Sequence, residues 1–507
     1  MPTVEQADVA AAGRAVGTRV DEILNRRPAV GFALGVVRGG ALESFTAHGL
    51  ADIATRRPVT PDTVFRVGSI TKTFTAIAVM QLVEQGLVDL DAPADDYLRA
   101  YRLVPADPAH RPATPRHLLT HTAGVSEQVP RSGLIRPNFG ETVPAGRPVP
   151  SLAEYYRGGL RLAAEPGTRF RYTDHGPATL GQLVADVTGT PLHRYLREHV
   201  FAPLGMADTT MLRSDVDPAR LATGYRIGRR GPQEAPTFDY VPAGAGAAFS
   251  TPRDMARYVA ALLAGGGNEH GSVLRRESLE EMFAPQYRSD PRLPGLGLAF
   301  WRVQAGGHRA VEHQGVIPPY FAQLYAAPDD GVGLVAFTNG TRGGATWLAA
   351  ETGKVLDSLL GVAEEGIRTD VPQRPDVWAE LCGRYALPGP PTLTDVRVRG
   401  VVGAGLEVRV RGGRLMLRAL TPVPALYRGL VLHPDDGADP YAFRVEVPQL
   451  GSLRVVFEPG SSGVPAALHL DGMPITAYRR PPVRRLRRRG GRATTILGGN
   501  RAAARHA

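Results

Sequence analysis

Fifty-nine basic residues stand in this 507-residue chain, and only two of them are lysines, Lys72 and Lys354. Lys72 comes three residues after a serine, in Phe65-Arg66-Val67-Gly68-Ser69-Ile70-Thr71-Lys72. A chain this committed to arginine has no need of lysine for positive charge alone. Lysine differs in one respect: desolvation or neighbouring charges can deprotonate it, whereas a guanidinium stays charged. An amine one helical turn beyond a hydroxyl can take that proton, or tune the group that does, and so make the serine a nucleophile. The same spacing also describes an ordinary surface charge, so the flanks and two later segments have to decide.

The first of those segments is Arg171-Tyr172-Thr173-Asp174, just before a helix beginning near Pro177. A phenol is a competent base when nearby cations lower its pKa. The second is Glu312-His313-Gln314-Gly315, at the end of a strand pattern. Asp174 has two readings, a substrate contact or an N-cap for the helix that follows. Lys354, on a later helix, reads as a solvated charge, and His121 in Leu-Leu-Thr-His-Thr as a structural hydrogen-bonding group.

The elements that must position these groups follow from periodicity. Residues 4–26 have apolar positions at helical spacing, and the runs 30–37 and 41–48, joined by Gly39-Gly40, read as a hairpin. Ser69 opens a helix over 70–85 that Gly86 stops. Its apolar residues, from Phe74 through Val83, cover all but a narrow side, the pattern of a buried central helix. Residues 115–260 read as mainly helical with Gly/Pro-rich interruptions. Between 295 and 339 four closely spaced strands (296–303, 309–314, 320–327 and 331–339) imply antiparallel pairing, and a helix over 345–360 closes the unit. Strands at both ends with helices between suggest one sheet completed by N- and C-terminal segments. After a linker, short strands at 396–398, 405–410, 414–417, 442–447, 452–458 and 466–470 suggest an all-β barrel or sandwich. The expected organisation is a first domain of sheet and helices over 1–360, a linker over 361–377, a barrel-like domain over 378–480 and a disordered Arg-rich tail over 481–507.

The net charge of +10 does not signal nucleic-acid binding. Ten arginines and no acid lie in 479–507, which leaves the rest of the chain with 49 basic and 49 acidic residues. A basic tail adheres at most weakly to anionic surfaces. The single cysteine, Cys382, excludes an intrachain disulfide and any cysteine-based metal cluster. Neither a signal-peptide pattern nor an 18-residue apolar run is present, so the expectation is a soluble, cytoplasmic protein.

With these segments quoted, the chain resembles the penicillin-recognising serine hydrolases of the class C β-lactamase-like branch, which includes D,D-peptidases, D-aminopeptidases and esterases. The resemblance covers roughly residues 15–360. It runs through FRVGSITKTFTAIAVMQLVEQGLVDLDAPADDYL, TPRHLLTHTAGV, EPGTRFRYTDHGPATLGQLVADVTG, PLGMADT and PAGAGAAFSTPRDMARY, and His-Gln-Gly takes the place of a Lys-Thr-Gly strand motif. The resemblance implies an antiparallel sheet flanked by helices, an all-α subdomain and an appended lipocalin-like barrel. It implies Ser69 as acyl-accepting nucleophile and Lys72 as proton acceptor or electrostatic partner of the base. Tyr172 would be general base and then acid. Asp174, His313, Gly315 and Val316 would form the substrate site, the N–H groups of Ser69 and Val316 making the oxyanion hole. No metal or organic cofactor is implied. β-Lactam-binding members carry asparagine where Asp174 stands, and an ionised carboxylate only accepts hydrogen bonds. His313 also lacks the fixed charge of a strand lysine. Both departures point from antibiotic hydrolysis towards esters or small amides. D-aminopeptidase, D,D-peptidase or weak β-lactamase activity is the alternative, and an inactive ligand-binding or assembly scaffold is the non-enzymatic one.

Overall fold

A computed structural model describes residues 4–126, 141–342, 346–363, 367–388, 405–421, 424–448, 451–461, 466–472 and 474–481. The strand expected over 396–398 and the tail beyond Pro481 lie outside the described residues.

Among the described residues, one antiparallel sheet of seven strands organises the first two-thirds of the chain. Its order is Trp301–Ala305, His308–Ile317, Tyr320–Ala327, Val332–Thr338, Gly31–Arg38, Ala41–Asp52 and Arg57–Pro58. The central strand Gly31–Arg38 is covered on both faces, so apolar residues run continuously along it rather than alternating with polar ones. Phe32, Leu34 and Val36 pack with Leu334, Ala336 and Trp347 beneath the helices Val4–Arg26 and Thr346–Leu359. Ala33 and Val37, one residue out of step, face the opposite core with Phe74, Val259 and Phe337. The expected hairpin and C-terminal strands therefore form one sheet, with the N-terminal pair beside the last strand and the closing helix packed on one face.

Between the two halves of the sheet the chain is less regular than helical periodicity implies. The helices there are short, apart from Thr71–Glu84, His175–Thr188 and Pro252–Leu263. Two-stranded ladders hold them together, including the parallel pair Arg102–Pro105 with Gly159–Leu162 and the antiparallel pair Thr142–Pro144 with Phe238–Tyr240. Gly- and Pro-rich segments take such shapes from their tertiary partners, not from local periodicity.

The C-terminal region is a nearly closed barrel with nine antiparallel strands among the described residues, running from Gly383–Ala386 to Ile475–Arg479. Val408, Leu415, Val445, Val455, Phe457 and Leu468 point inward at alternating positions and fill it. Arg292, in the loop before the edge strand Trp301–Ala305, fastens the barrel to the first domain. Its guanidinium pairs with Asp290 on its own side, donates to Asp439 Oδ2 at 2.9 Å and donates to the Phe457 carbonyl at 2.9 Å. Leu293 packs beside it on Ala442 and Val456.

Candidate active site

Ser69 occupies a 3₁₀ turn, Gly68–Ile70, that leads directly into the buried helix Thr71–Glu84. Gly86, at φ +70°, ends that helix, and the Leu87 N–H reaches back to the Leu82 carbonyl at 2.9 Å. Two glycines fix where the serine stands. Gly68 has φ +52°, and a Cβ added to it would lie 2.8 Å from Val316 N. A Cβ on Gly315 would lie 1.9 Å from the Val67 carbonyl oxygen. The backbone before Ser69 is thus pressed against the strand His308–Ile317 at Gly315-Val316, closer than any side chain allows. Ala248 braces the same turn: its carbonyl accepts from Val67 N at 3.0 Å, and its N–H donates to Thr71 Oγ1 at 3.1 Å.

Lys72, one turn on, has no exposed side-chain surface. Its Nζ lies 2.9 Å from Ser69 Oγ, 2.6 Å from Asp174 Oδ1 and 2.9 Å from the Ala245 carbonyl. Burial disfavours the ammonium, but the Asp174 carboxylate and the Tyr172 oxygen outweigh it, so the pKa of Lys72 is raised above the usual lysine value. This reverses the expectation of a neutralisable amine: the resting group is an ammonium ion paired with a carboxylate.

Tyr172 interacts through its hydroxyl with both Ser69 and Lys72, and its ring centroid is 5.0 Å from Lys72 Nζ. Burial pushes the phenol above its ordinary pKa, and Lys72 recovers only part of that shift. At neutral pH Tyr172 is a phenol, not a phenolate. Its ring is held between His121, 4.5 Å away between centroids, and Trp301, stacked at 6.1 Å. His121 accepts weakly from Thr173 N at 3.4 Å, which agrees with a structural part. His313 sits beside the cluster with Nδ1 2.8 Å from the Gln314 carbonyl. Burial first, and then the Lys72 charge, push the pKa of each imidazole down to about 3. Position 313 therefore supplies no positive charge near the serine.

The structure brings Ser69, Lys72, Tyr172, Asp174, His313, Gly315 and Val316 together, with one change of part. Asp174 directly precedes the helix His175–Thr188 but makes no side-chain cap. Its carboxylate is engaged on both oxygens: Oδ1 accepts from Lys72, and Oδ2 accepts from the Tyr240 hydroxyl at 2.6 Å.

Tyr240 was not legible as a site residue, and behind it runs a buried polar chain. The Tyr240 hydroxyl also reaches Glu141 Oε2 at 3.3 Å, Glu141 Oε1 is 3.3 Å from His175 Nε2, and His175 Nδ1 is 2.8 Å from the Tyr156 hydroxyl. Two arginines clamp the Tyr240 loop. Arg66 donates to the Phe238 carbonyl at 2.7 Å and lies over the Phe238 ring, while Arg213 donates to Asp239 Oδ1 at 3.0 Å. The one signal in the sequence was position: Tyr240 stands two residues before the PAGAGAAFSTPRDMARY stretch.

Residues 17–355 match the Beta-lactamase family. The chain belongs to that family. It is 28% identical over 385 residues to Penicillin-binding protein 4 of Amycolatopsis lactamdurans, covering 73% of this chain and 97% of that protein. It is 32% identical over 234 residues to Esterase EstB of Burkholderia gladioli, covering 46% of this chain and 59% of the esterase. The octameric penicillin-binding protein homologue from Pyrococcus abyssi superposes with a TM-score of 0.58 at 23% identity, over 92% of this chain and all of that one. That likeness extends through the barrel and concerns the fold alone.

Proposed function

We propose that this Beta-lactamase family member is a serine hydrolase that cleaves carboxylic esters or small amides through an acyl-enzyme on Ser69. The observation that carries the reading is the Ser69 hydroxyl held between Lys72 Nζ at 2.9 Å and the Tyr172 phenol. Ser69 Oγ attacks the substrate carbonyl while the Ser69 and Val316 N–H groups, brought together by Gly68 and Gly315, receive the oxyanion. One such donor is worth about 100- to 1000-fold in rate. Tyr172 supplies a proton to the departing alcohol or amine, and water then reverses these steps on the acyl-enzyme.

Charge favours uncharged substrates. Lys72 and Asp174 neutralise each other, Tyr172 is a neutral phenol and His313 a neutral imidazole. A carboxylate entering this cleft meets no free cation at 313. Asp174, as a carboxylate, only accepts hydrogen bonds, so it could meet an amide N–H but not an amide carbonyl. The barrel is proposed to border the cleft, because its Tyr478 lies within electrostatic reach of Tyr287, which stacks on Phe170 beside Trp301. The setting proposed is cytoplasmic, to be checked by cell fractionation; among the described residues no helix is long and apolar enough to cross a membrane.

The test uses a fluorophosphonate probe and three substrates: p-nitrophenyl butyrate, D-alanine p-nitroanilide and a chromogenic cephalosporin. Labelling should be abolished by Ser69→Ala, and the ester should turn over at least tenfold faster than the other two. Faster anilide or cephalosporin turnover supports the peptidase or lactamase alternatives. A chain that neither labels nor turns over any of the three is a binding scaffold.

A further inference from the structure

In the resting site no side chain beside Ser69 is a free base in the usual sense. Lys72 Nζ lies within hydrogen-bonding distance of Ser69 Oγ, Asp174 Oδ1 and the Ala245 carbonyl and also meets the Tyr172 hydroxyl, so every N–H bond of an ammonium finds an acceptor. An ammonium has no lone pair for the serine proton until it gives one up. The Ala245 carbonyl cannot hold a proton, and Ser69 is the group to be deprotonated. Tyr172 already carries its own proton. His121 and His313 face the Lys72 charge, which opposes a second cation beside it. What is left is Asp174, at 2.6 Å.

We propose that Asp174 is the proton acceptor that activates Ser69, working through Lys72 as a relay. The inference rests on the acyl-enzyme reading above and assigns the base within it. Lys72 passes the proton aimed at Oδ1 to Asp174, and the freed lone pair turns about the Cε–Nζ bond towards Ser69. It takes the hydroxyl proton as Oγ bonds to the carbonyl carbon and the carbonyl π pair moves onto oxygen. Lys72 is again an ammonium, and Asp174 is now a neutral acid. When the intermediate collapses, the bond to the leaving group breaks and Tyr172 protonates that group. The Tyr172 oxygen recovers a proton from Lys72, which recovers its own from Asp174. The proton that began on Ser69 is accounted for on the product, and the carboxylate is restored.

Tyr240 is a positioning residue in this scheme. Its 2.6 Å hydrogen bond to Oδ2 keeps the carboxylate turned to Lys72 instead of capping the helix that follows. The other titratable groups around Asp174 are Glu141, which shares the Tyr240 hydroxyl, Tyr156, Tyr172, His121 and His313.

The experiment follows p-nitrophenyl butyrate hydrolysis by the full chain from pH 4 to 9 for wild type, Asp174→Asn and Tyr240→Phe. Circular dichroism and thermal melting establish that each variant is folded. Asp174→Asn, which cannot take a proton, should lose about 1000-fold in kcat with KM within about threefold. Tyr240→Phe removes a donor to the charged carboxylate, so it should lose about tenfold and move the acid limb of kcat/KM to higher pH. A merely structural role would lower activity without moving that limb. On wild type, a proton inventory in mixed H₂O and D₂O should be curved, reporting two protons in flight. Wild-type kcat in folded Asp174→Asn, or a linear inventory, overturns the relay. Should Asp174→Asn fail to fold, the inventory and the Tyr240→Phe profile decide. A wild type that is unlabelled and inactive overturns the acyl-enzyme reading itself; labelling equal in wild type and Asp174→Asn overturns only the relay.

Discussion

Gly315→Ala is the sharpest test of how the backbone serves the chemistry. The added methyl would sit 1.9 Å from the Val67 carbonyl oxygen, whereas real Cβ atoms essentially never come within 3.0 Å of a neighbour. Strand and turn must separate by at least about 1.1 Å, the difference between these distances. The clash is not relieved cheaply, because the nearest atoms are backbone and Ala322 Cβ would itself stand 3.3 Å from the added methyl. Val67 is two residues before Ser69 and Val316 is the next residue after Gly315, so the shift opens the slot between the two proposed oxyanion donors. A misplacement of about 1 Å costs on the order of 100-fold, and loss of one donor up to about 1000-fold. The expected result is a kcat lowered by about 100- to 1000-fold, KM within threefold, and stability lowered by about 1–3 kcal/mol from overpacking. Steady-state hydrolysis of p-nitrophenyl butyrate, the fluorophosphonate labelling rate and urea denaturation measure the three quantities. A folded Gly315→Ala protein with kcat within threefold of wild type would refute the claim that this approach sets the oxyanion slot.

Other expectations follow from features away from that contact. Lys72→Arg keeps the charge but puts a larger planar group where no side-chain surface is exposed, so turnover should fall more than 100-fold in a chain that still folds; near-normal rates would sink the amine's part. Burial pushes the Glu312 carboxyl up to about 7 from 4.5, so between those pH values the folded chain keeps a proton that the unfolded chain has released, and stability is full below about 4.5 and declines as pH rises to about 7. Its partial opening onto a cavity of about 490 Å³ beneath the barrel trims the effect to about 2 kcal/mol. Glu312→Gln should accordingly be more stable than wild type at pH 8 but not at pH 4 in urea melts, and a pH-independent difference contradicts the assignment. Arg292→Ala removes the clamp on Asp439 and the Phe457 carbonyl, and should split one calorimetric transition into two; an unchanged single transition means that Leu293 and its apolar partners suffice.

The sheet was legible because its strands carry strong local patterns: 320–327 needs no adjustment, and 331–339 loses one residue at each end. The helix after Ser69 was legible for the same reason, a long apolar run with a glycine stop. Barrel strands Gly383–Ala386 and Ile475–Arg479 were not, since both are short and mix arginine with apolar residues. Among the candidate site groups, the family resemblance of the motifs pointed to the serine, lysine, tyrosine and histidine that the structure brings together. It could not locate the partner of Asp174. That ion pair joins residues 102 apart in sequence, and Tyr240 reaches Asp174 from a further 66 away through a loop clamped by arginines. The protonation of Lys72 was hidden with it, because an ammonium and an amine have the same letter and only the neighbour distinguishes them.

The strand Gly31–Arg38 lies between Ala41–Asp52 and Val332–Thr338, so nearly 300 residues separate two neighbours in the middle of the sheet. A growing polypeptide therefore holds its serine early but acquires the surface that backs it only after Thr338 has been added. Until then the helix has a hydroxyl and an amine but no wall to set them against, and slow long-range closure precedes any chemistry. Fragments shorter than about 340 residues, whether nascent or proteolytic, should therefore be inert.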